Sequence, residues 1–133
     1  MIVLDTCALI WWTLAPEKLS SRASASIQAE LRDSSLQSKI VVSSVSVWEI
    51  SVKCKKNKLT LGVSPKEYVD KLHMIDKLRI APVDESLWLD SVELVWEHND
   101  HVDRVIVSLA AREAASLITC DAEIRKFYTG TVW

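Results

Sequence analysis

Four acidic residues, Asp5, Glu49, Asp103 and Asp121, each stand where an apolar run gives way to a helix start, in IVLDTCALIWW, VSSVSVWEISVKCKK, HNDHVDRVIVSLAA and SLITCDAEIRKF. Carboxylates gathered in one place repel one another, so a fold that assembles them needs a divalent cation or basic neighbours. Asp5 makes the sharpest demand, because a carboxylate at the end of an apolar strand loses hydration that a partner must offset. Asp100, one helical turn before Asp103, adds a fifth carboxylate within reach. No lysine or arginine is locally placed to neutralise Asp5, Glu49 or Asp121. Hard oxygen donors in this number suit Mg²⁺ or Mn²⁺, which retain waters. Such an ion orients water, lowers its pKa and stabilises charge on a phosphate oxygen.

Each acid also has a plain structural use. Ser46-Val47-Trp48-Glu49 has the spacing of a capping box, in which Glu49 reaches back to a backbone N–H. Asp103 and Asp121 precede apolar helical runs and fit as N-caps, and Asp5 fits the same role for the segment 7–14. Taken singly the acids are structural; taken together they point to a site.

The elements that must position them read as follows. Met1–Leu4 is a short buried strand, turned by Asp5 and Thr6 into an apolar segment that Pro16 stops. Ser20 to Arg32 reads as a helix, and Lys39–Ser43 (KIVVS) as a second strand. From Ser44 a helix follows, with Val45, Trp48, Ile50 and Val52 facing inward. Ser64-Pro65-Lys66-Glu67 is a strong helix start, with an N-cap serine, proline at the first position and glutamate at the third. Arg79–Val83 is a third strand, and Asp84 caps a helix through about Trp96. Asp103 opens another helix, Leu117–Thr119 is a fourth strand, and Asp121 starts a short helix before a last edge strand at Thr131–Trp133. Strands alternating with helices predict an α/β chain, a three-layer α/β/α arrangement around a mainly parallel sheet. In such sheets the site lies beyond the carboxyl ends of the strands, where Asp5 and Asp121 fall directly.

A chain of 133 residues, nearly half apolar, is expected to form one domain over residues 1–133. The formal net charge of −2 does not announce a nucleic-acid binder, yet the run Lys53-Cys54-Lys55-Lys56-Asn57-Lys58 sets a local positive field. Its other reading is a solvated helix end, where lysines favour the macrodipole. Cys7, Cys54 and Cys120 form no CxxC pair, so neither a disulfide framework nor a zinc ribbon follows, and a reducing cytoplasm suits them. No stretch has the roughly 20 apolar residues of a membrane span. No basic region precedes the first apolar run, so no signal peptide is expected.

The quoted segments resemble the PIN domain and, within it, the VapC-like ribonuclease toxins of toxin–antitoxin pairs. The likeness covers nearly the whole chain: MIVLDTCALIWW is similar to the family's first strand and aspartate, VVSSVSVWEISVKCKKNKL to its second strand and glutamate helix, and HNDHVDRVIVSLAAREAASLITCDAEIRKF to its H-x-D-P-x-D-R segment and T-x-D strand end. The resemblance makes Asp5, Glu49, Asp103 and Asp121 the catalytic acids holding one or two Mg²⁺ or Mn²⁺ ions, with Asp100 a further ligand, and puts His98 and Arg104 at accessory positions. It implies hydrolysis of RNA phosphodiesters by a homodimer that a cognate antitoxin inhibits. Thr6 is then placed to fix Asp5 or a water, and Arg104, Lys53, Lys55 and Lys56 to grip the RNA backbone. His101 stands where the family has proline, which changes the turn and adds a titratable group beside the metal. Trp11 and Trp12 are expected to meet the antitoxin or a second subunit.

Two other readings remain from the sequence: a catalytically weak nucleic-acid-binding module of the same fold, and a flap-type DNA nuclease. A transition-metal site on His98-Asn99-Asp100-His101 lacks distant ligands. Cys7 as a nucleophile lacks an identifiable histidine partner.

Overall fold

The computed structural model describes residues 1–37 and 40–133; Lys39, expected to begin the second strand, lies outside the described residues. Five strands run β1 (Ile2–Leu4), β2 (Ile40–Ser43), β3 (Leu78–Ala81), β4 (Ser116–Ile118) and β5 (Thr131–Val132). Seven helices join them: α1 (Thr6–Leu14), α2 (Ser21–Arg32), α3 (Ser44–Lys55), α4 (Pro65–His73), α5 (Glu85–Glu93), α6 (His101–Arg112) and α7 (Ala122–Phe127). The sheet has the order β3-β2-β1-β4-β5, and every neighbouring pair is parallel. Parallel strands are buried on both faces, which explains why IVL and IVV are continuous apolar runs rather than alternating ones.

The pleat divides those runs between two cores. Ile2, Leu4, Ile40, Val42 and Ile118 pack with Leu9 of α1, Ile27 of α2 and Leu72 of α4. Val3, Val41 and Leu117 face the other way, onto Leu87 of α5, Ile106 of α6 and Ile124 of α7. The result is the expected three-layer α/β/α sandwich. Helix α3 serves both layers, sending Val45 to one core and Ile50 to the other.

Several local expectations are corrected. Helix α3 starts at Ser44 with Ser43 as its N-cap, so Ser46 and Glu49 sit inside the helix and no capping box forms. Trp48 does not face inward but is 53% exposed. Helix α6 is capped by Asp100, which accepts from the Val102 and Asp103 N–H groups, leaving Asp103 in the first turn. Helix α5 ends at Glu93 rather than near Trp96, and the Leu94, Trp96 and His98 carbonyls beyond it accept from Arg104 instead. Trp11 packs against Trp133 with ring centroids 5.5 Å apart, and Trp12 packs against the α1 core, so both are half-buried. Among the described residues no helix is long and apolar enough to cross a membrane.

Candidate active site

The chain lays β1 first, builds outward through β2 and β3, then returns to β1's other side with β4 and β5. The order therefore reverses between β1 and β4, and a parallel sheet opens a crevice at the carboxyl ends of such a pair. Asp5 follows β1 and donates its backbone N–H to the Ile118 carbonyl of β4 at 3.1 Å. Thr119, Cys120 and Asp121 follow β4. A hollow of about 250 Å³ lies there, lined by Asp5, Thr6, Cys7, Glu49, Lys53, Asp100, Asp103, Cys120 and Asp121. All five acids singled out in the sequence thus share one cleft.

Three of them double as N-caps. Asp5 Oδ1 accepts from the Ala8 N–H at 2.6 Å, Asp100 Oδ1 from Val102 and Asp103, and Asp121 Oδ1 from Glu123 and Ile124. The structural and chemical readings of these acids are therefore not alternatives, since one oxygen caps while the other remains. Their helix N-termini also contribute positive partial charge beneath the carboxylates.

Asp5 is the most confined, at 5% exposure. Burial raises its carboxyl to about 6, with the Asp103 and Asp121 charges adding to the rise, while the Thr119 hydroxyl and the Ala8 N–H oppose it. Burial likewise raises Asp103, against the lowering effect of its 2.7 Å bond to His98 Nε2. That same bond raises His98. The His98 ring lies beside Trp96 (centroids 4.6 Å), and Trp96 stacks on Phe127 at 4.6 Å and 7°. His98 is thus a ring fixed from behind that orients Asp103.

Lys53 corrects the expectation that no basic residue is placed against the acids. One turn along α3, its Nζ lies 3.6 Å from Glu49 Oε1, and it lines the hollow. Lys55 and Lys56 are exposed at the end of α3, outside that lining. Thr6 does not bond Asp5; its hydroxyl pairs with Ser46 Oγ at 2.9 Å, tying α1 to α3.

Arg104, expected to grip the RNA backbone, is turned inward in this structure. Its guanidinium faces the chain and donates to five backbone carbonyls: Nε to Ser91, one terminal nitrogen to Trp96 and His98, the other to Val92 and Leu94. A guanidinium has five N–H donors, so none is left for phosphate. His101 is the first residue of α6, a position proline also fits, and it lines a neighbouring slot rather than the acid hollow.

Sequence reasoning missed Ser46 and Thr119. Thr119 is fully buried, and its Oγ1 accepts the Asp121 N–H at 3.0 Å while its hydroxyl reaches Asp5. The T-x-D spacing was the available signal. Ser46 left none, because its partner is distant in the chain. Among the described residues, no three His, Cys, Asp or Glu side chains stand close enough together to chelate an ion by themselves.

The family model of the PIN domain matches residues 2–129. Among solved structures, the chain is similar to a toxin–antitoxin complex from Klebsiella pneumoniae (17% identity, TM-score 0.67, covering 100% of this chain and 97% of that one). It is similar to FitAcB from Neisseria gonorrhoeae (19%, 0.62, 100% and 96%). It is also similar to VapBC2 from Rickettsia felis bound to a DNA fragment from their promoter (17%, 0.65, 96% and 93%). Identities this low speak for a shared fold. A search of the curated proteins finds no match. With its sheet order, its acid-lined crevice and a family match over nearly its whole length, the chain belongs to the PIN domain family.

Proposed function

We propose that this chain is a divalent-metal-dependent endoribonuclease and the toxin of a toxin–antitoxin pair. One observation carries the reading: Asp5, Glu49, Asp100, Asp103 and Asp121 converge on a single hollow at the carboxyl ends of β1 and β4. Holding that many carboxylates together is costly, and the Asp103 and Asp121 charges add to the rise that burial gives Asp5. Hard oxygen donors fit Mg²⁺ or Mn²⁺. Since no three of them close on one point among the described residues, the proposed ion would keep water between itself and several of them.

Asp5 and Asp103 are the proposed direct ligands, with Glu49, Asp121 and Asp100 acting through water. When bound, the ion supplies positive charge to the phosphate and acidity to a water. The chain's residues do the positioning. Thr119 and the Ala8 N–H hold Asp5, and His98 holds Asp103. Lys53 offers a cation to a phosphate at the rim, and Lys55 and Lys56 extend that field outward.

The antitoxin assignment draws on the likeness to toxin–antitoxin complexes. An apolar groove of about 360 Å³, lined by Trp12, Leu14, Leu61, Val63, Leu72 and Ile75 among others, is the proposed seat for an apolar antitoxin segment. A second copy of the chain is the proposed cover for the exposed ridge of Leu89, Val92 and Val95. Three free thiols suit a cytoplasmic setting.

The test is incubation of the purified protein with labelled RNA and DNA in Mg²⁺, Mn²⁺ or EDTA. RNA cleavage is expected with metal, absent in EDTA and lost in Asp5→Asn. Cleavage that survives Asp5→Asn overturns the assignment, and cleavage of DNA alone favours the flap-type reading.

A further inference from the structure

Beside the acid hollow lies a slot of about 310 Å³ with aromatic walls. It is lined by Trp48 of α3, Trp88 of α5 and His101 of α6, with Ser44, Val45 and Val83. The His101 ring stands between the two indoles, with centroids 5.5 Å from Trp48 and 6.5 Å from Trp88. These rings are not core: Trp48 is 53% and Trp88 42% exposed, and His101 is exposed. Large aromatic faces left in water are a loss that a stacking ligand recovers.

The slot and the hollow are lined by neighbouring residues of the same segments. Trp48 is followed by Glu49, and His101 is preceded by Asp100, and both acids line the hollow. Trp48 and Glu49, adjacent on a helix, point about 100° apart, and Asp100 caps the helix that His101 begins, so each pair presents a carboxylate to one opening and a ring to the next. A strand whose phosphate lies among the acids therefore carries its neighbouring base past the rings. We propose that the slot of Trp48, Trp88 and His101 holds one unpaired nucleobase of the RNA whose phosphate occupies the acid hollow.

This inference rests on the nuclease reading. Stacking on an aromatic face is open to every base, so the slot selects for an unstacked nucleotide rather than for a sequence. A base inside a duplex is already stacked and paired and must leave both to enter. The exposed ridge of Leu89, Val92 and Val95 lies outside the slot's lining. Val92 follows Trp88 by one helical turn on α5, so a variant there tells a base subsite from a general apolar protein patch.

The experiment measures binding apart from cleavage. Fluorescence polarisation follows a labelled single-stranded RNA, the same RNA with one abasic position and its duplex, in EDTA and in Ca²⁺. The proteins are wild type, Trp88→Ala, Trp48→Ala, Trp48→Phe and Val92→Ser, each sized by light scattering. Expected are a loss of roughly 5- to 100-fold in single-strand affinity for the two alanine variants, retention in Trp48→Phe and Val92→Ser, and an unchanged oligomeric state. The RNA lacking the base that fills the slot should bind wild type as weakly as Trp88→Ala binds intact RNA. Equal affinity of wild type and Trp88→Ala, or no RNA binding by wild type, overturns the proposal. So does a loss in Trp88→Ala and Val92→Ser that tracks dissociation of a dimer, which makes the face a protein interface. Wild type that cleaves RNA while the slot variants bind normally defeats the subsite and leaves the nuclease reading standing. Slot-dependent binding without cleavage does the reverse.

Discussion

The hydroxyls of Thr6 and Ser46 meet at 2.9 Å with almost no exposure, joining the helix that Asp5 caps to the helix that carries Glu49. Removing one partner strands the other, which costs about 1–3 kcal/mol, whereas removing both is nearly neutral. Ser46→Ala is expected to lower stability by that amount in urea unfolding. Thr6→Val combined with Ser46→Ala should recover much of it. Additive losses in the two single variants and the double variant would show that the pair is not coupled.

Asp5 makes the metal-free protein pH-sensitive. Its carboxyl is raised from 3.8 to about 6 by burial. The native state therefore holds a proton that the unfolded state has released between those values, and stability falls as pH rises from 4 to 6. The full penalty above pH 6 is on the order of 3 kcal/mol. Asp5→Asn keeps an oxygen for the Ala8 N–H and removes the charge. It should be more stable than wild type at pH 7.5 in EDTA and no more stable at pH 4, as thermal melts at the two pH values would show, while losing activity.

If Glu49 serves the proposed ion, Lys53, 3.6 Å away, competes with it. Lys53→Met removes a positive charge from a partly exposed position, so the expected effect is modest: about a two- to fivefold gain in Mn²⁺ affinity by titration calorimetry. The same variant should bind RNA more weakly. Unchanged Mn²⁺ affinity would mean that Lys53 does not shield the acids.

Arg104→Lys is not a conservative change here. One ammonium cannot replace five donors spread over Ser91, Val92, Leu94, Trp96 and His98. A loss of about 2–4 kcal/mol is expected. Faster amide exchange should appear across residues 94–100. A variant with wild-type stability and impaired RNA binding would restore the role that the sequence suggested.

Burial and the nearby Asp5 charge push the Cys7 thiol up to about 12. At pH 8 the thiolate is on the order of one part in ten thousand. Iodoacetamide should leave Cys7 unmodified in the folded protein and modify it after unfolding, as peptide mass spectrometry would read.

The acids were legible because their types and their places at strand ends are local properties. Asp5 and Asp121 needed only the apolar run before each. What joins them was not legible: the reversal between β1 and β4 depends on strand order, which no local pattern encodes. Glu49 was offered a capping box because Ser46 has the right spacing, but Ser43, at the strand end, begins the helix three residues earlier. Trp48 was assigned inward by helical period, yet the inward positions of α3 went to Val45, Ser46 and Ile50, since this helix sits between two layers rather than on one. For Arg104, arginine beside acids suggests a ligand contact, but its carbonyl partners lie in the last turn of α5 and the irregular segment after it, a pairing that no propensity describes.

The pairing of Leu4 with Ile118 sets the order in which the site can be completed. β1 sits at the middle of the sheet, and its second edge is closed only by β4, far along the chain. Contacts between such distant parts of a chain form late. A nascent chain that has already made Asp5, Glu49 and Asp103 still lacks Thr119 and Asp121 and the wall they build. The hollow is therefore among the last features that folding of these residues completes.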